Sequence, residues 1–289
     1  MKKWTLFVFL TLLWSAPGYG QEMLTIKGSD TMAPLVQKMA EAYLEDNPDI
    51  FVSVTGGGSG TGVAALLNRK CGLANSSRAI NKDEAARARA NGVYPVAVII
   101  ALDGVSIIVH GSNPVEELTA PQIAQIFRGE IKNWKELGGD DMPIGLYGRP
   151  PHSGTHVFFR DEILKADYPK DMLQLNGNAD IVDAVRRDTS AIGYVGVGYL
   201  KNAKDVHVIK VAAGPEAEYI SPLDASAVQS GRYPFSRPLF QYVHGKPDKR
   251  IKSFLLFELG EDGQRIVEEE GFIVISETER EFNRQKAGL

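Results

Sequence analysis

The chain has 289 residues, which is enough for one large or two medium domains with a core that needs no metal or disulfide. Its 44% hydrophobic and 24% charged residues are typical of a globular protein and argue against a disordered tail or a membrane channel. The net charge of −4 offers no basic surface for nucleic acid or anionic lipid, and the single cysteine excludes an internal disulfide and a cysteine-rich metal centre.

The first twenty residues have the pattern of a secretory signal peptide. Lys2 and Lys3 precede an apolar run over 4–14 that is too short to span a bilayer, and small residues at Gly18 and Gly20 precede the expected cleavage site before Gln21. No cysteine follows the run, so a lipid anchor cannot form there. The sequence therefore predicts an unanchored protein of the periplasm, whose net charge falls from −4 to −6 when the two lysines are removed.

Beyond the signal peptide, strand-like runs alternate with helical runs, a pattern that predicts an α/β fold with largely parallel sheets. Three units share one design, in which a strand leads through a polar loop into a helix. The three loops are 28–31 (Gly-Ser-Asp-Thr), 56–62 (glycine-rich) and 149–155 (Arg-Pro-Pro-His-Ser-Gly-Thr). A helix N-terminus carries unpaired N–H groups and about half a positive charge, so three such ends brought together would form a pocket for an oxyanion.

The remaining elements follow in order. Apolar runs cover 93–101 and 106–110, and a capping box at Thr119 and Gln122 opens a helix. Further strands are expected at 143–148, 191–196, 206–211 and 272–275, further helices at 157–164, 249–259 and 262–270, and an irregular connection at 221–238.

Catalytic and nucleotide-binding motifs are incomplete. The glycine loop has Walker-like spacing, but Val63 stands where that motif needs lysine, and Thr61 breaks the pattern of a serine nucleophile elbow. His152 and His156 have the spacing of two ligands on one helical face, yet no third ligand is near in sequence. Neither an enzyme, a metal site nor a cofactor is expected.

Several motifs, in the right order over most of the mature chain, resemble the PstS-type periplasmic phosphate-binding proteins of bacterial phosphate ABC transporters. The motifs are the loops at 27–35, 56–62, 73–78 (Leu-Ala-Asn-Ser-Ser-Arg) and 149–155, together with two long signatures at 119–139 and 191–196.

The resemblance implies a two-lobed type II periplasmic-binding-protein fold, the Venus flytrap, with two inter-lobe crossings. Residues 21–104 and 222–289 would form lobe 1, and residues 105–221 would form lobe 2. The function implied is capture of inorganic phosphate in the inter-lobe cleft, by a monomer that delivers it to a membrane permease. Carried over residue by residue, the phosphate-binding set is Ser29, Asp30, Thr31, Ser59, Ser76, Arg78, Arg149, Ser153, Gly154 and Thr155.

One departure from the family pattern concerns selectivity. Many members have aspartate where this chain has Ser76, and that carboxylate accepts the proton of phosphate, which sulfate lacks. We hypothesise that Asp30 takes over this role here; the alternative is that its carboxylate merely caps a helix. Two other functions stay open at this point, a binder of another tetrahedral oxyanion (sulfate, molybdate or arsenate) and a secreted phosphatase.

Overall fold

The computed structural model describes residues 23–289, so the predicted signal peptide lies outside the described residues. The strands are β1 (Met23–Gly28), β2 (Phe51–Gly57), β3 (Leu73–Ser76), β4 (Pro95–His110), β5 (Glu117–Thr119), β6 (Gly145–Gly148), β7 (Leu173–Gln174), β8 (Ala191–Gly196), β9 (Val206–Val208), β10 (Lys210–Ala212) and β11 (Ser236–His244). The α-helices are α1 (Ala33–Asp46), α2 (Ser59–Leu67), α3 (Lys82–Ala90), α4 (Ala120–Phe127), α5 (Gly154–Phe158), α6 (Asn178–Arg187), α7 (Ala225–Gln229), α8 (Lys249–Leu259), α9 (Glu261–Glu269) and α10 (Glu277–Ala287).

One long strand is shared by two sheet segments. The strands are ordered β2-β1-β3-β11-β4-β8-β6-β7, and β9 also pairs with β4. Residues 95–104 of β4 pair with β11, whereas residues 105–109 pair with β8. We call β2, β1, β3, β11 and the first part of β4 lobe 1, and the last part of β4 with β8, β6, β7 and β9 lobe 2. The expected two-lobed α/β architecture is confirmed.

The expectation of largely parallel sheets is wrong at the centre of the molecule. Strands β1, β2 and β3 pair in parallel, as do β6, β7 and β8, which suits strands joined by helical crossovers. Strand β4, however, is antiparallel to β11, β8 and β9. The chain therefore leaves lobe 1 along β4 and re-enters it at the start of β11, which runs in the opposite direction beside β4.

Three local expectations also need correction. The two apolar runs before residue 110 form the single strand β4, because the polar Asp103 between them is buried against a partner on β11. The region 221–238 is not wholly irregular, since it contains α7 and the start of β11. Residues 272–275 form only an isolated bridge, between Ile273 and Leu102, and the chain then continues into α10.

The hydrophobic core is continuous across the junction of the lobes. One cluster of buried side chains contains Leu24 and Met39 of lobe 1 as well as Phe127, Trp134 and Phe159 of lobe 2. Among residues 23–289, no helix combines the length and the apolar character that crossing a membrane requires. The lobe limits at 104/105 and 221/222 stay a prediction; β4 changes partner between Gly104 and Val105.

Candidate functional site

The first loop begins where β1 ends. Gly28 has φ of +138°, and a Cβ there would lie 2.2 Å from the backbone oxygen of Asn75, so a residue other than glycine would not fit. The backbone N–H of Ser29 donates to that same oxygen at 2.9 Å. The Ser29 hydroxyl is buried and has no hydrogen-bond partner within residues 23–289. A tight backbone contact between β1 and β3 thus holds the unpaired Ser29 hydroxyl at the carboxyl end of β1.

Asp30 connects two of the predicted loops. Its Oδ1 accepts a hydrogen bond from the backbone N–H of Gly57 at 2.7 Å, and its Oδ2 accepts one from Nη2 of Arg149 at 2.8 Å. The hydroxyl of Tyr199 donates to its backbone oxygen at 2.7 Å. The helix-capping alternative does not hold, because the N-cap of α1 is Met32 and no side chain caps that helix.

Two threonines meet from opposite lobes. The hydroxyl oxygens of Thr31 and Thr155 lie 3.1 Å apart, and both side chains are buried. The Nδ2 group of Asn178, at the start of α6, donates to the Thr31 oxygen at 3.4 Å. The first and third predicted loops are therefore in direct contact across the cleft.

The glycine loop packs directly against the third loop. The backbone N–H of Gly60 donates to the backbone oxygen of His152 at 3.1 Å. A Cβ on Gly154 would lie 2.2 Å from Ser59 Oγ and 2.6 Å from Ser77 Oγ, so only a glycine permits this approach. The Ser59 oxygen accepts the backbone N–H of Ser77 at 3.0 Å. These contacts bring the two lobes together at the ends of α2 and α5.

Ser76 and Arg78 are turned to their own lobe. The Ser76 hydroxyl donates to the backbone oxygen of Arg78 at 2.7 Å. Both terminal nitrogens of Arg78 donate to the Glu84 carboxylate at 2.7 Å in a buried, two-pronged ion pair. Burial alone would raise the pKa of Glu84, but hydrogen bonds from Arg78 and the Asn81 backbone hold it below its usual value. The Ser76 hydroxyl and both terminal nitrogens of Arg78 thus already have partners between β3 and α3, whereas Nε of Arg78 is buried without a hydrogen-bond partner among residues 23–289.

Arg149 is the charged donor of the third loop. Its side chain is 1% exposed, and besides Asp30 its Nη2 also donates to the backbone oxygen of Asn176 at 2.5 Å. Its Nε and Nη1 are buried without a hydrogen-bond partner in the described part of the chain. The backbone N–H of Arg149 donates to the hydroxyl of Tyr194, whose pKa burial raises to about 12. The guanidinium is therefore fixed on one side and unsatisfied on the other.

Ser153 and His156 shape the turn that carries the third loop into its helix. The Ser153 hydroxyl accepts the backbone N–H of His156 at 3.4 Å as the N-cap of α5. Nδ1 of His156 lies 2.7 Å from the backbone oxygen of Arg149, which can only accept, so Nδ1 carries the hydrogen. Burial lowers the pKa of His156. No group of three or more His, Cys, Asp or Glu residues that could hold a metal ion occurs within 23–289.

Sequence reasoning missed a buried ion pair beside these loops. Arg237 on β11 donates to Asp103 on β4 and also to the backbone oxygen of Ser77 and the hydroxyl of Thr155. Arg237 lies in the stretch that reads as an irregular connection, and nothing in its local pattern marks it. Ser77 could have been found, since it is the second serine of the Asn-Ser-Ser-Arg motif. Asn178 and Tyr199 belong to no motif.

Comparison with known proteins gives a family and several close relatives. A family model described as "PBP superfamily domain" matches residues 15–261. The chain is 32% identical over 284 residues to the phosphate-binding protein PstS of Pseudomonas aeruginosa, covering 92% of this chain and 87% of that protein. It is also 32% identical over 255 residues to PstS of Bacillus subtilis, with 88% and 81% covered.

Solved structures agree with these relatives. One similar crystal structure is that of a putative phosphate ABC transporter substrate-binding protein from Clostridium perfringens with bound phosphate. It superposes with a TM-score of 0.77 at 30% identity, and the superposition covers 88% of this chain and 100% of that chain. An ABC-type phosphate transport receptor from Vibrio cholerae gives a TM-score of 0.71 at 28% identity, with 87% and 99% covered.

Proposed function

The chain belongs to the PBP superfamily and, within it, to the PstS-type phosphate-binding proteins, and on that basis we propose that it captures inorganic phosphate between its two lobes and delivers it to an ABC permease. As a member of a family of substrate-binding proteins it is a binder and not an enzyme, so the anion leaves chemically unchanged.

The observation that carries the proposal is a set of buried donors without acceptors. The Ser29 hydroxyl and the Nε and Nη1 groups of Arg149 are buried and unpaired among the described residues. An unpaired buried donor costs about 1–3 kcal/mol, and more when it is charged. Guanidinium nitrogens can only donate, so the missing partners must be acceptor oxygens. A tetrahedral oxyanion supplies several such oxygens within one small volume.

The charges of this region suit an anion held by hydrogen bonds more than by net charge. Arg149 is paired with Asp30, Arg78 with Glu84 and Arg237 with Asp103. Each pair is neutral, so attraction must come from the N–H and O–H groups that converge from α1, α2 and α5. Fixed dipoles of this kind bind small anions without an excess of positive residues, which agrees with the overall charge of −4.

We assign the ligand shell to three loops. Hydroxyl and backbone donors come from Ser29, Thr31, Ser59, Ser153, Gly154 and Thr155, the charged fork from Arg149, and the acceptor from Asp30. Ser76 and Arg78 support the loop after β3 in this assignment, because the Ser76 hydroxyl already binds the backbone oxygen of Arg78 and both terminal nitrogens of Arg78 already bind Glu84.

The cellular setting is part of the same proposal. Export through the predicted signal peptide places the mature chain in the periplasm, where a substrate-binding protein meets its permease. We propose that it acts as a monomer whose closed form is recognised by the permease.

Isothermal titration calorimetry of the mature protein, residues 21–289, tests the function. We expect saturable binding of one phosphate per chain, and sulfate at the same concentration should not displace it. Binding of sulfate or molybdate in preference to phosphate would instead identify a different oxyanion carrier.

A second assay addresses the enzymatic alternative. The same preparation is incubated with an aryl phosphate, with and without a chelator. We expect no release of the phenol, and turnover that a chelator abolishes would identify a secreted metal-dependent phosphatase.

A further inference from the structure

A buried ion pair sits where the chain passes between the lobes. Arg237 on β11 faces Asp103 on β4 in the antiparallel register. Nε and Nη2 of Arg237 lie 2.9 Å and 2.7 Å from Asp103 Oδ2, and the two side chains are 1% and 0% exposed. Two residues further along β4, at Val105, pairing with β8 begins.

The remaining polar groups of this pair reach both lobes. Asp103 Oδ1 accepts the backbone N–H of Val197 in lobe 2 at 2.9 Å. Arg237 Nη1 donates to the backbone oxygen of Ser77 in lobe 1 at 3.0 Å, and Nη2 donates to the Thr155 hydroxyl in lobe 2 at 3.0 Å. A planar guanidinium with five donors can serve three such directions at once, which an ammonium group on a flexible stem cannot.

These contacts set the direction of two hydroxyl groups. Arg237 can only donate, so the Thr155 oxygen accepts from it. Asn178 Oδ1 accepts the backbone N–H of Gly196 at 3.2 Å, and its amide nitrogen therefore faces the Thr31 oxygen. With both oxygens acting as acceptors, the hydrogens of Thr31 and Thr155 are left to donate. The two oxygens are 3.1 Å apart and can share one hydrogen, which leaves the other for a further acceptor.

We propose that Arg237, held by Asp103, is a positioning residue for anion binding: by donating to the Thr155 oxygen it leaves one hydrogen of the Thr31–Thr155 pair for the ligand, and it ties the third loop to β4 and β11. The inference rests on the proposed function, since the acceptor is the bound anion. Arg237 itself acts through Thr155 and Ser77 and does not have to touch the ligand.

A double-mutant cycle tests the coupling. Phosphate affinity is measured by calorimetry for the wild type, Arg237→Lys, Thr155→Val and the double variant. We expect each single change to weaken binding by roughly tenfold or more, the effect of losing about 1.4 kcal/mol. If Arg237 acts through Thr155, the double variant binds within about threefold of Thr155→Val alone. A double variant whose loss equals the product of the two single losses would overturn the proposal.

A second measurement does not depend on the ligand. Amide hydrogen exchange of residues 153–157 is compared for wild type, Arg237→Lys and Arg265→Lys, a matched control at an exposed ion pair with Asp262. We expect faster exchange in Arg237→Lys only, and unchanged exchange in a folded variant would contradict the positioning role.

The two experiments separate the inference from the function on which it rests. If the wild type does not bind phosphate, the proposed function fails, and the exchange of 153–157 still decides whether Arg237 orders this loop. If Arg237→Lys does not fold, the neutral pair Arg237→Gln with Asp103→Asn takes its place. That pair of substitutions keeps hydrogen-bonding groups without a buried unpaired charge. Its loss of phosphate affinity is then compared with that of Thr155→Val, and a combined loss equal to the product of the separate losses would again overturn the proposal.

Discussion

Asp30 holds a backbone N–H and a guanidinium with separate oxygens of one carboxylate. Each carboxylate oxygen has a second lone pair, so the group can still accept a hydrogen from a ligand. Sulfate has no hydrogen to give, and a carboxylate directed at it would meet only like charge. We therefore expect Asp30 both to orient Arg149 and to distinguish phosphate from sulfate.

The Asp30→Asn variant separates these two roles. The amide keeps one oxygen but presents N–H groups where the carboxylate accepted, so phosphate binding should weaken roughly tenfold or more. If Asp30 accepts the phosphate hydrogen, the loss is larger for phosphate than for sulfate; both affinities are measured by calorimetry, with exposed Asp262→Asn as the control. Equal losses for both anions would leave Asp30 with the orienting role alone.

Glu258 on α8 is a fully buried carboxyl group in lobe 1. Its Oε1 lies 3.0 Å from Gln241 Nε2, and its Oε2 has no partner among residues 23–289. Gln241 also donates to Asn75, the residue that holds the Ser29 loop. Burial raises the pKa of Glu258 well above its usual value of 4.5. The side chain is thus neutral in the folded protein at a pH where it ionises in the unfolded chain.

This difference gives a testable pH dependence of stability. Above pH 4.5 the folded state holds a proton that the unfolded state has lost, so Glu258 makes stability fall as the pH rises towards its folded pKa. The slope from one group is at most about 1.4 kcal/mol per pH unit. In Glu258→Gln we expect this contribution to the pH dependence of the free energy of unfolding to vanish, as measured by urea denaturation between pH 5 and 8. A slope equal to that of the wild type would contradict the assignment.

At this scale the sequence predicted the residues that lie in short local motifs. Ser29, Asp30 and Thr31 follow one strand, and Arg149 to Thr155 follow another, so their placement at helix starts could be read directly. Arg237 and Asp103 are 134 positions apart in the chain. Their pairing depends on the register of β11 against β4, which local pattern does not specify.

Among the elements, α5 begins in close contact with the opposite lobe. Its first residue, Gly154, has no positive φ, so an alanine there would be compatible with the helix. The obstacle is the far side of the cleft, where Ser59 Oγ and Ser77 Oγ would lie 2.2 and 2.6 Å from the new Cβ. The glycine therefore serves contact between elements more than backbone conformation.

Gly154→Ala should consequently fold normally and bind poorly. We expect phosphate affinity to fall by about tenfold or more, the equivalent of 1–3 kcal/mol of steric cost, while the melting temperature without phosphate changes little. Calorimetry and thermal denaturation measure the two quantities. Gly214→Ala is the control, since no heavy atom lies within 4 Å of its Cβ position. Wild-type affinity in Gly154→Ala would show that the lobes do not meet here in the bound state.

The sequence predicted the elements that follow a local pattern of strand, polar loop and helix. It did not predict the strands whose limits depend on pairing with distant parts of the chain. The strand, loop and helix units around α1, α2 and α5 repeat a pattern that sequence displays. The full lengths of β4 and β11 were not predicted, because Asp103 in β4 and Arg237-Pro238 in β11 are residues that usually end a strand. Only the tertiary pairing of Asp103 with Arg237 makes their place in a buried strand understandable. Residues 272–275 have strand-like composition but find only one bridging partner.

In the molecule as a whole, the two lobes are in contact across the cleft. Gly60 with His152, Thr31 with Thr155 and Asp30 with Arg149 each form a hydrogen bond or ion pair between lobes. These contacts describe the arrangement in which an anion would be enclosed. Trp134, the sole tryptophan among residues 23–289, is buried in lobe 2 and its Nε1 donates to the backbone oxygen of Ser190. Its fluorescence is therefore a weak reporter of closure.

We expect phosphate to favour this closed arrangement in solution. Small-angle X-ray scattering of the mature protein should show a smaller radius of gyration with phosphate than without it. The thermal stability should also rise, by about 2.7 kcal/mol when phosphate is at 100 times its dissociation constant. Sulfate at equal concentration is the control, and a radius of gyration that phosphate does not change would argue against closure on binding.

The two places where the chain passes between the lobes lie side by side. Strand β4 leaves lobe 1 after Gly104, whose register partner is Ser236 at the start of β11, and the backbone N–H of Val105 donates to the backbone oxygen of Phe235 at 3.0 Å. The nine residue pairs of β4 and β11 lie within lobe 1 and fix the position at which both crossings begin. One residue inserted near position 236 would turn Arg237 to the opposite face of the sheet and remove the partner of Asp103. The length of the returning segment is therefore constrained to the single residue, although none of the proposed ligand-binding residues lies within it.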